Sequence, residues 1–506
     1  MKSEKFIIAA LVVAGVAGAS PAAEGISPPL PIPPPLRTYC NPLPLENYPL
    51  GLFCRGFKNG TKPIKEPETW VSEDKLIHQF RELADPSLYF ENGKMYLYAS
   101  GDLCWRSDDR GGTWKHIPQG LSGAEGGKDE INYAPTICNH RGRYLLIGGT
   151  GYVFEAEKPE GPFKKLGLLD IPKPKNWNWS MDPPGLWDPN YFSDDDGRLY
   201  FYWGCTPTSG VWGVECDAKD PLKIITKPKR LIPFEPETQP WEIAPGKKPR
   251  MGYLEGPWMV KKDGKYILTY AAAGTENKEY AMGQAVSDKP LGPYVKPKNN
   301  PFFRKTEGFI TGTSHGSVAQ DQDGDLWVAY TINANAVHWF ERRVGLDRIG
   351  FDSDGTLAVT QATDEPQWLP GYGKGATGWK RLVKTSSAPL ATDQKFKTSW
   401  KAETLPATVT IGFGAKKTVC AYRLIWRDEG LDVERGVKPG AFQYKIEYRD
   451  ASGDWKTLVD ASENRRDLLV DYRETSETET DAVRLVVLGG PKGITPAVTD
   501  FSPFGL

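Results

Sequence analysis

Histidine is scarce in this chain of 506 residues: there are five, beside six methionines and seven cysteines. No Cys-x-x-Cys pair and no cysteine–histidine group has the spacing of a zinc site, which argues against a zinc site of that kind. An excess of one charge is also missing. Sixty-three Lys and Arg face 64 Asp and Glu, a formal net charge of −1, so nothing argues for nucleic acid or an anionic membrane as partner. Past the N-terminal segment no run is long and apolar enough to span a bilayer. No stretch needs a helix of any size.

Aromatic rings are abundant instead, with 17 Trp and 22 Tyr. Most are expected to fill a core, and some can form platforms for sugar rings. The length allows two or three domains, and 39% hydrophobic residues can bury a sizeable interior.

Residues 1–23 read as a secretory signal. Lys2 and Lys5 flank the start, Phe6 to Ala17 form the apolar run, and Ala17-Gly18-Ala19 is a small-x-small cleavage site, with Ala23 as a second one. The mature chain is therefore expected to be secreted or periplasmic. In such an oxidising compartment Cys40 with Cys54, or Cys205 with Cys216, can be bridged. The odd cysteine count leaves at least one free thiol. Residues 24–75 read as a Pro-rich, polyproline-II-prone spacer followed by an irregular lead-in packed on what comes next.

What comes next is a repeat. Leu254 to Tyr270 reads as a hairpin: an extended entry, an Asp263-Gly264 turn, and an alternating aromatic and aliphatic exit. The design recurs at Asp85 to Tyr98, Tyr133 to Ile147, Asp188 to Trp203 and His315 to Tyr330. The turn glycines are Gly93, Gly142, Gly197, Gly264 and Gly324, 49 to 67 residues apart. The fold class this predicts is all-β: a five-bladed β-propeller over residues 76–370. Two outer turns, Glu157 to Phe163 and Ser287 to Tyr294, repeat one another and support blade-by-blade repetition. Ser107-Asp108-Asp109-Arg110-Gly111-Gly112-Thr113-Trp114 fits an Asp-box, a turn held by Asp and Thr side chains with Trp as a core plug, and by itself implies no activity.

The Gly-rich stretch 371–384 reads as a linker. Residues 385–506 change to short alternating strands, such as Tyr422 to Trp426, Tyr444 to Tyr448 and Val483 to Val487, which predict a β-sandwich.

In a propeller the innermost strands line a shared axis. The five equivalent positions, eight or nine residues before each turn glycine, hold Asp85, Tyr133 or Ala134, Asp188, Glu255 and His315. Three are carboxylates, where 64 acidic residues in 506 make about 0.6 the chance expectation. Carboxylates gathered at one apolar-walled axis repel each other and lose solvation, which raises at least one pKa. Glycosidic-bond cleavage needs such a set: one acid kept protonated for the leaving oxygen and one carboxylate kept ionised to activate water. An Asp-Pro pair alone is more often a turn starter; it is the register of the three that favours catalysis.

These fragments, Ala84-Asp85-Pro86-Ser87, Ala134-Pro135, Asp188-Pro189, Glu255-Gly256-Pro257 and His315-Gly316, resemble glycoside hydrolase family 43 over roughly residues 80–355. The resemblance implies that Asp85 is the general base, Asp188 the pKa modulator and orienter, and Glu255 the general acid, in an inverting reaction. It implies no cofactor for the chemistry and no catalytic metal, and leaves room for a structural calcium ion. It places His315 near the axis against substrate or a bound cation, with a plain core histidine as the bland alternative. Arg342 matches a pocket-side arginine, with a surface ion pair as its alternative. Trp187 either stacks on a sugar or packs in the core, and Tyr133 stands where relatives often carry Trp. His78, His116 and His140 carry no pattern and read as surface residues. The implied substrate is a plant-type polysaccharide or its oligosaccharides, with exo-acting release of α-L-arabinofuranosyl or β-D-xylosyl residues. A galactoside-cleaving enzyme of the same fold, a sialidase and a non-catalytic sugar-binding propeller are the alternatives. A sialidase needs several Asp-boxes, an arginine triad and six blades, and one box and five repeats are present. The C-terminal module resembles coagulation-factor/discoidin-like galactose-binding sandwiches, through Trp426-Arg427-Asp428, Gly453-Asp454-Trp455 and Phe504-Gly505. That resemblance implies either glycan binding or a buttress for the propeller.

Overall fold

A computed structural model describes residues 36–51, 57–58, 62–63, 79–100, 103–117, 133–171, 178, 182, 185–433 and 435–506. The signal reading, the Pro-rich spacer, Cys54 and His78 lie outside them. The turn chemistry explains the blades. At Asn92-Gly93, Arg141-Gly142 and Asp263-Gly264 both residues have positive φ (50° and 77°, 55° and 81°, 50° and 79°). That is the type I′ pattern, whose twist matches the flanking strands. Two residues therefore suffice to join Ser87–Glu91 to Lys94–Ala99, Thr136–His140 to Arg143–Ile147, and Leu254–Lys262 to Lys265–Ala272. The other two turns are longer and are tied by an aspartate. The Gly197 N–H donates to the Asp194 carbonyl and the Gly324 N–H to that of Asp321, while Asp321 Oδ1 accepts from the N–H groups of Asp323 and Asp325.

Each hairpin grows outward into an antiparallel blade. The first three are four-stranded and begin at Ser87–Glu91, Thr136–His140 and Asn190–Ser193; the fifth is three-stranded, Ser314 to Ile349. The fourth combines Leu254–Lys262, Lys265–Ala272 and Ala281–Ser287 with a short strand, Cys205–Thr206, lent from the third repeat. The five innermost strands contact one another in sequence, and the fifth contacts the first, so the ring closes. Apolar residues fill the spaces between blades. Leu199–Trp203 is buried at all five positions because both its faces are covered. His140, read from sequence as a surface residue, is fully buried: its ring spans the gap between the second and third blades, with Nδ1 2.8 Å from Ser193 Oγ and Nε2 2.8 Å from the Ala218 carbonyl.

The Asp-box forms as expected. Asp109 accepts from Ser107 Oγ (2.7 Å), Thr113 N (2.8 Å) and Thr113 Oγ1 (2.8 Å), and Trp114 is fully buried.

The described part of the segment before the first blade packs on that blade and on more besides. Thr38–Tyr39 pairs with Gln367–Trp368, the Leu43 N–H donates to the Val344 carbonyl, and Trp105 Nε1 donates to the Glu46 carbonyl. It thus touches the first and fifth blades together. It also meets the C-terminal domain, where Arg423 Nη1 donates to the Asn41 carbonyl at 2.7 Å. That domain is an eight-stranded sheet. Its long strands Ala407–Glu429 and Val470–Gly489 are broken by register shifts, which bend a strand. Its first strand, Lys380–Arg381, pairs with Phe504–Gly505 inside the stretch read as linker. Cys205 and Cys216 are separate thiols, as are Cys40 and Cys420.

Candidate active site

Each innermost strand is entered through a left-handed residue. Asp85, Ala134, Asp188, Gly256 and His315 have φ of 57°, 45°, 52°, 57° and 39°. In four blades proline follows, and in the fifth Gly316. Left-handed φ is unfavourable for residues with a Cβ and tends to be stored at functional sites. The structural equivalent in the fourth blade is thus Gly256, eight residues before its turn glycine as Asp85 and Ala134 are before theirs, and one residue past Glu255. Glycine is required there by close approach: a Cβ on Gly256 would lie 2.6 Å from His315 Cδ2. Glu255 sits before the register shift of its hairpin and pairs with Ala271 on one side and Cys205 on the other.

The axis-lining geometry brings five of the seven expected residues together. His315 Nδ1 lies 3.3 Å from Asp85 Oδ1 and 3.8 Å from Asp188 Oδ2. Arg342 Nη1 donates to Asp85 Oδ1 at 3.4 Å. The Gly256 N–H donates to Asp188 Oδ2 at 3.1 Å, which ties the third-blade carboxylate to the strand that carries Glu255. Asp85, Asp188, Glu255, His315 and Arg342 are all buried. Arg342 is therefore not a surface residue; it is a buried bridge between Asp85 and Glu82. Tyr133 and Trp187 adjoin Ala134 and Asp188 in the chain. Their rings lie 5.8 Å apart, and Trp187 is 45% exposed, so it is a solvent-facing ring rather than core packing.

Environment separates the carboxyl groups. Burial alone raises all three, because the charged form loses solvation. For Asp85, Arg342, His315 and the Ser100 hydroxyl, which donates to Oδ2 at 2.6 Å, outweigh burial and hold it below the usual carboxylate range. Asp188 goes the other way: burial, reinforced by Glu255 and Asp85 against the opposing His315, pushes it up to about 7. Glu255 is also raised, by burial first and by the Asp85 charge, against His315 and the donors Cys205 and Tyr280. Burial lowers His315, yet the three carboxylates outweigh it and raise this imidazole. One end of the axis therefore carries one carboxyl group biased toward its ionised form, two biased toward the protonated form, and an imidazole biased toward the cationic form. A calcium ion prefers oxygen ligands, whereas His315 offers a nitrogen already directed at Asp85.

Sequence reasoning missed four neighbours. Ser100 ends the hairpin that Asp85 begins. Cys205 Sγ donates to Glu255 Oε2 at 3.0 Å, Tyr280 donates to Glu255 Oε1, and Thr331 Oγ1 accepts from the Asp85 N–H. Ser100 and Thr331 each carry a weak signal, since Thr331 lies in, and Ser100 directly follows, the strand that leaves its repeat's turn. Cys205 and Tyr280 carry none.

A five-bladed propeller with differentiated carboxyl groups at one end of its axis belongs to the glycoside hydrolase class. Residues 77–357 match the model of glycosyl hydrolases family 43, and the chain belongs to that family. It is similar to a beta-D-galactofuranosidase of Aspergillus niger, 25% identical over 228 residues, covering 44% of this chain and 59% of that one. A beta-xylosidase of Xylanibacter ruminicola is 27% identical over 283 residues, 44% of this chain and 80% of its own. A xylosidase/arabinosidase of Bacteroides ovatus is 23% identical over 344 residues, 56% of this chain and 96% of its own. The match thus spans little more than half of the Aspergillus protein.

Proposed function

We propose that this chain is an exo-acting, inverting glycosidase that releases α-L-arabinofuranosyl or β-D-xylosyl residues from plant-type polysaccharides or oligosaccharides. In this reading Asp85 is the base that activates water, Glu255 protonates the leaving oxygen, and Asp188 keeps Glu255 protonated and oriented. His315, Arg342, Tyr133 and Trp187 contact the sugar. The observation that carries the reading is the opposite bias of Asp85 and Glu255 within one buried group, since an acid and a base must hold different protonation states at one pH. The named activities of the Xylanibacter and Bacteroides relatives support a pentose. A β-D-galactofuranoside is the second reading, favoured by the Aspergillus relative. We also propose, from the N-terminal sequence alone, that the enzyme is exported.

The test is hydrolysis of aryl α-L-arabinofuranoside, β-D-xyloside and β-D-galactofuranoside, with arabinan and arabinoxylan oligosaccharides, by wild type and Glu255→Gln. Release of one pentose, reduced by roughly 10²-fold or more in the variant, with an inverted first-formed anomer by NMR, is the expected result. Galactofuranose release moves the reading to the second substrate. Retention of configuration, or no release from any substrate, refutes it.

A further inference from the structure

The mechanism above leaves two polar neighbours of Glu255, Cys205 and Tyr280, without a role. Cys205 belongs to the short strand Cys205–Thr206 that crosses from the third repeat to pair with the fourth, and its pairing partner is Glu255 itself. Its Sγ lies 3.0 Å from Glu255 Oε2, and the Tyr280 hydroxyl donates to the other oxygen, Oε1. The two carboxyl oxygens thus meet donors of different strength. A phenol is a good donor and a thiol a weak one. In a protonated carboxyl the better-served oxygen takes the carbonyl form, and the proton stays on the other.

We propose that Cys205 is a positioning residue for the general acid: its thiol orients Glu255 and, as a weak donor, leaves the working proton on Oε2. The inference rests on the role proposed for Glu255. Charged and titratable groups from every neighbouring element bear on that carboxyl: Asp85 from the first blade, Asp188 from the third, Tyr280 and Cys205 in the fourth, and His315 from the fifth. Of these, Cys205 is the group whose donor strength can be changed in both directions with little change of volume. The thiol itself stays neutral, since burial and then the Glu255 and Asp188 charges push it well above its ordinary value. It therefore donates and does not compete for the proton.

The experiment compares Cys205→Ala, which removes the donor, with Cys205→Ser, which strengthens it. A donor to the ionised carboxylate lowers its pKa. The alkaline limb of kcat/KM, where the acid loses its proton, should move up in Cys205→Ala and down in Cys205→Ser, each by roughly half to one pH unit. Cys205→Ala should also lose several-fold more kcat on alkyl glycosides, which need leaving-group protonation, than on dinitrophenyl glycosides, which need little. A substrate-free readout is the 13C titration of the Glu255 carboxyl in glutamate-labelled protein, assigned by loss of the signal in Glu255→Gln. Opposite shifts in the two variants support the proposal. Shifts of the same sign, or no shift in either, overturn it and leave Cys205 as packing. If wild type hydrolyses none of the glycosides, the substrate reading fails, and the carboxyl titration still decides the role of Cys205.

Discussion

Arg342→Gln perturbs the base without touching the acid. Arg342 Nη1 is 3.4 Å from Asp85 Oδ1, and the same guanidinium holds Glu82 through Nε at 3.3 Å. With an effective dielectric constant of 20, the direct attraction to Asp85 is about 5 kcal/mol. His315 and Ser100 remain on Asp85 and recover part of it. Taking half as the residue leaves about 2.5 kcal/mol, or roughly two pH units. The sign follows from the ionised state. Asp85 lies below the usual carboxylate range in the folded chain, so its contribution to stability is present above its unfolded value and is lost as pH falls through the folded one. Without Arg342 the folded value rises, and the base is protonated at a higher pH. The acid limb of kcat/KM should therefore move upward by one to two units. The fold should also weaken by about 3–5 kcal/mol, because two buried carboxylates lose their cation. The assay is the pH profile on an aryl glycoside, beside thermal unfolding followed by circular dichroism. An unmoved acid limb, with a plateau within about threefold of wild type, would refute the argument that Arg342 keeps Asp85 ionised.

Three further outcomes are expected. Asp109→Ala removes three hydrogen bonds of the Asp-box and should cost about 1–3 kcal/mol in unfolding free energy, while activity per folded molecule stays unchanged; loss of activity at full stability would give the box a role it is not assigned here. Arg81→Met should destabilise the protein by about 3–5 kcal/mol, read as a lowered melting temperature. Arg81 lies 2.6 Å from Asp428 Oδ2 and 2.7 Å from Asp467 Oδ2, so it bridges the first-blade entry to the C-terminal domain. Treatment with excess EDTA should leave hydrolysis unchanged, since the proposed steps run through Asp85, Glu255 and water alone; activity lost on chelation and restored by calcium would show that a bound ion takes part.

The propeller was legible because its repeating signals are local. A glycine at a two-residue turn needs only its own φ, and Gly93, Gly142 and Gly264 adopt the conformation their neighbours imply. The Asp-box is equally self-contained. The candidate carboxylates were legible because each stands in or beside a short, repeated motif at a strand entry. The fourth blade shows the limit. Counting back eight or nine residues from Gly264 gives Gly256 or Glu255; the left-handed position is the eighth, Gly256, as it is in the other two blades with two-residue turns, and the count alone does not choose between them. His140 shows it again: nothing near it in the chain announces that the third blade will cover it.

Residue identity, turn geometry and repeat length were determined by the sequence alone, because each depends on a few consecutive residues. Which carboxyl stays charged was decided only by tertiary structure. Arg342, 257 positions from Asp85, comes within 3.4 Å of it, and Cys205, 50 positions from Glu255, becomes its strand partner. Charge interactions depend on distance and burial, and neither is set until the ring of blades has closed.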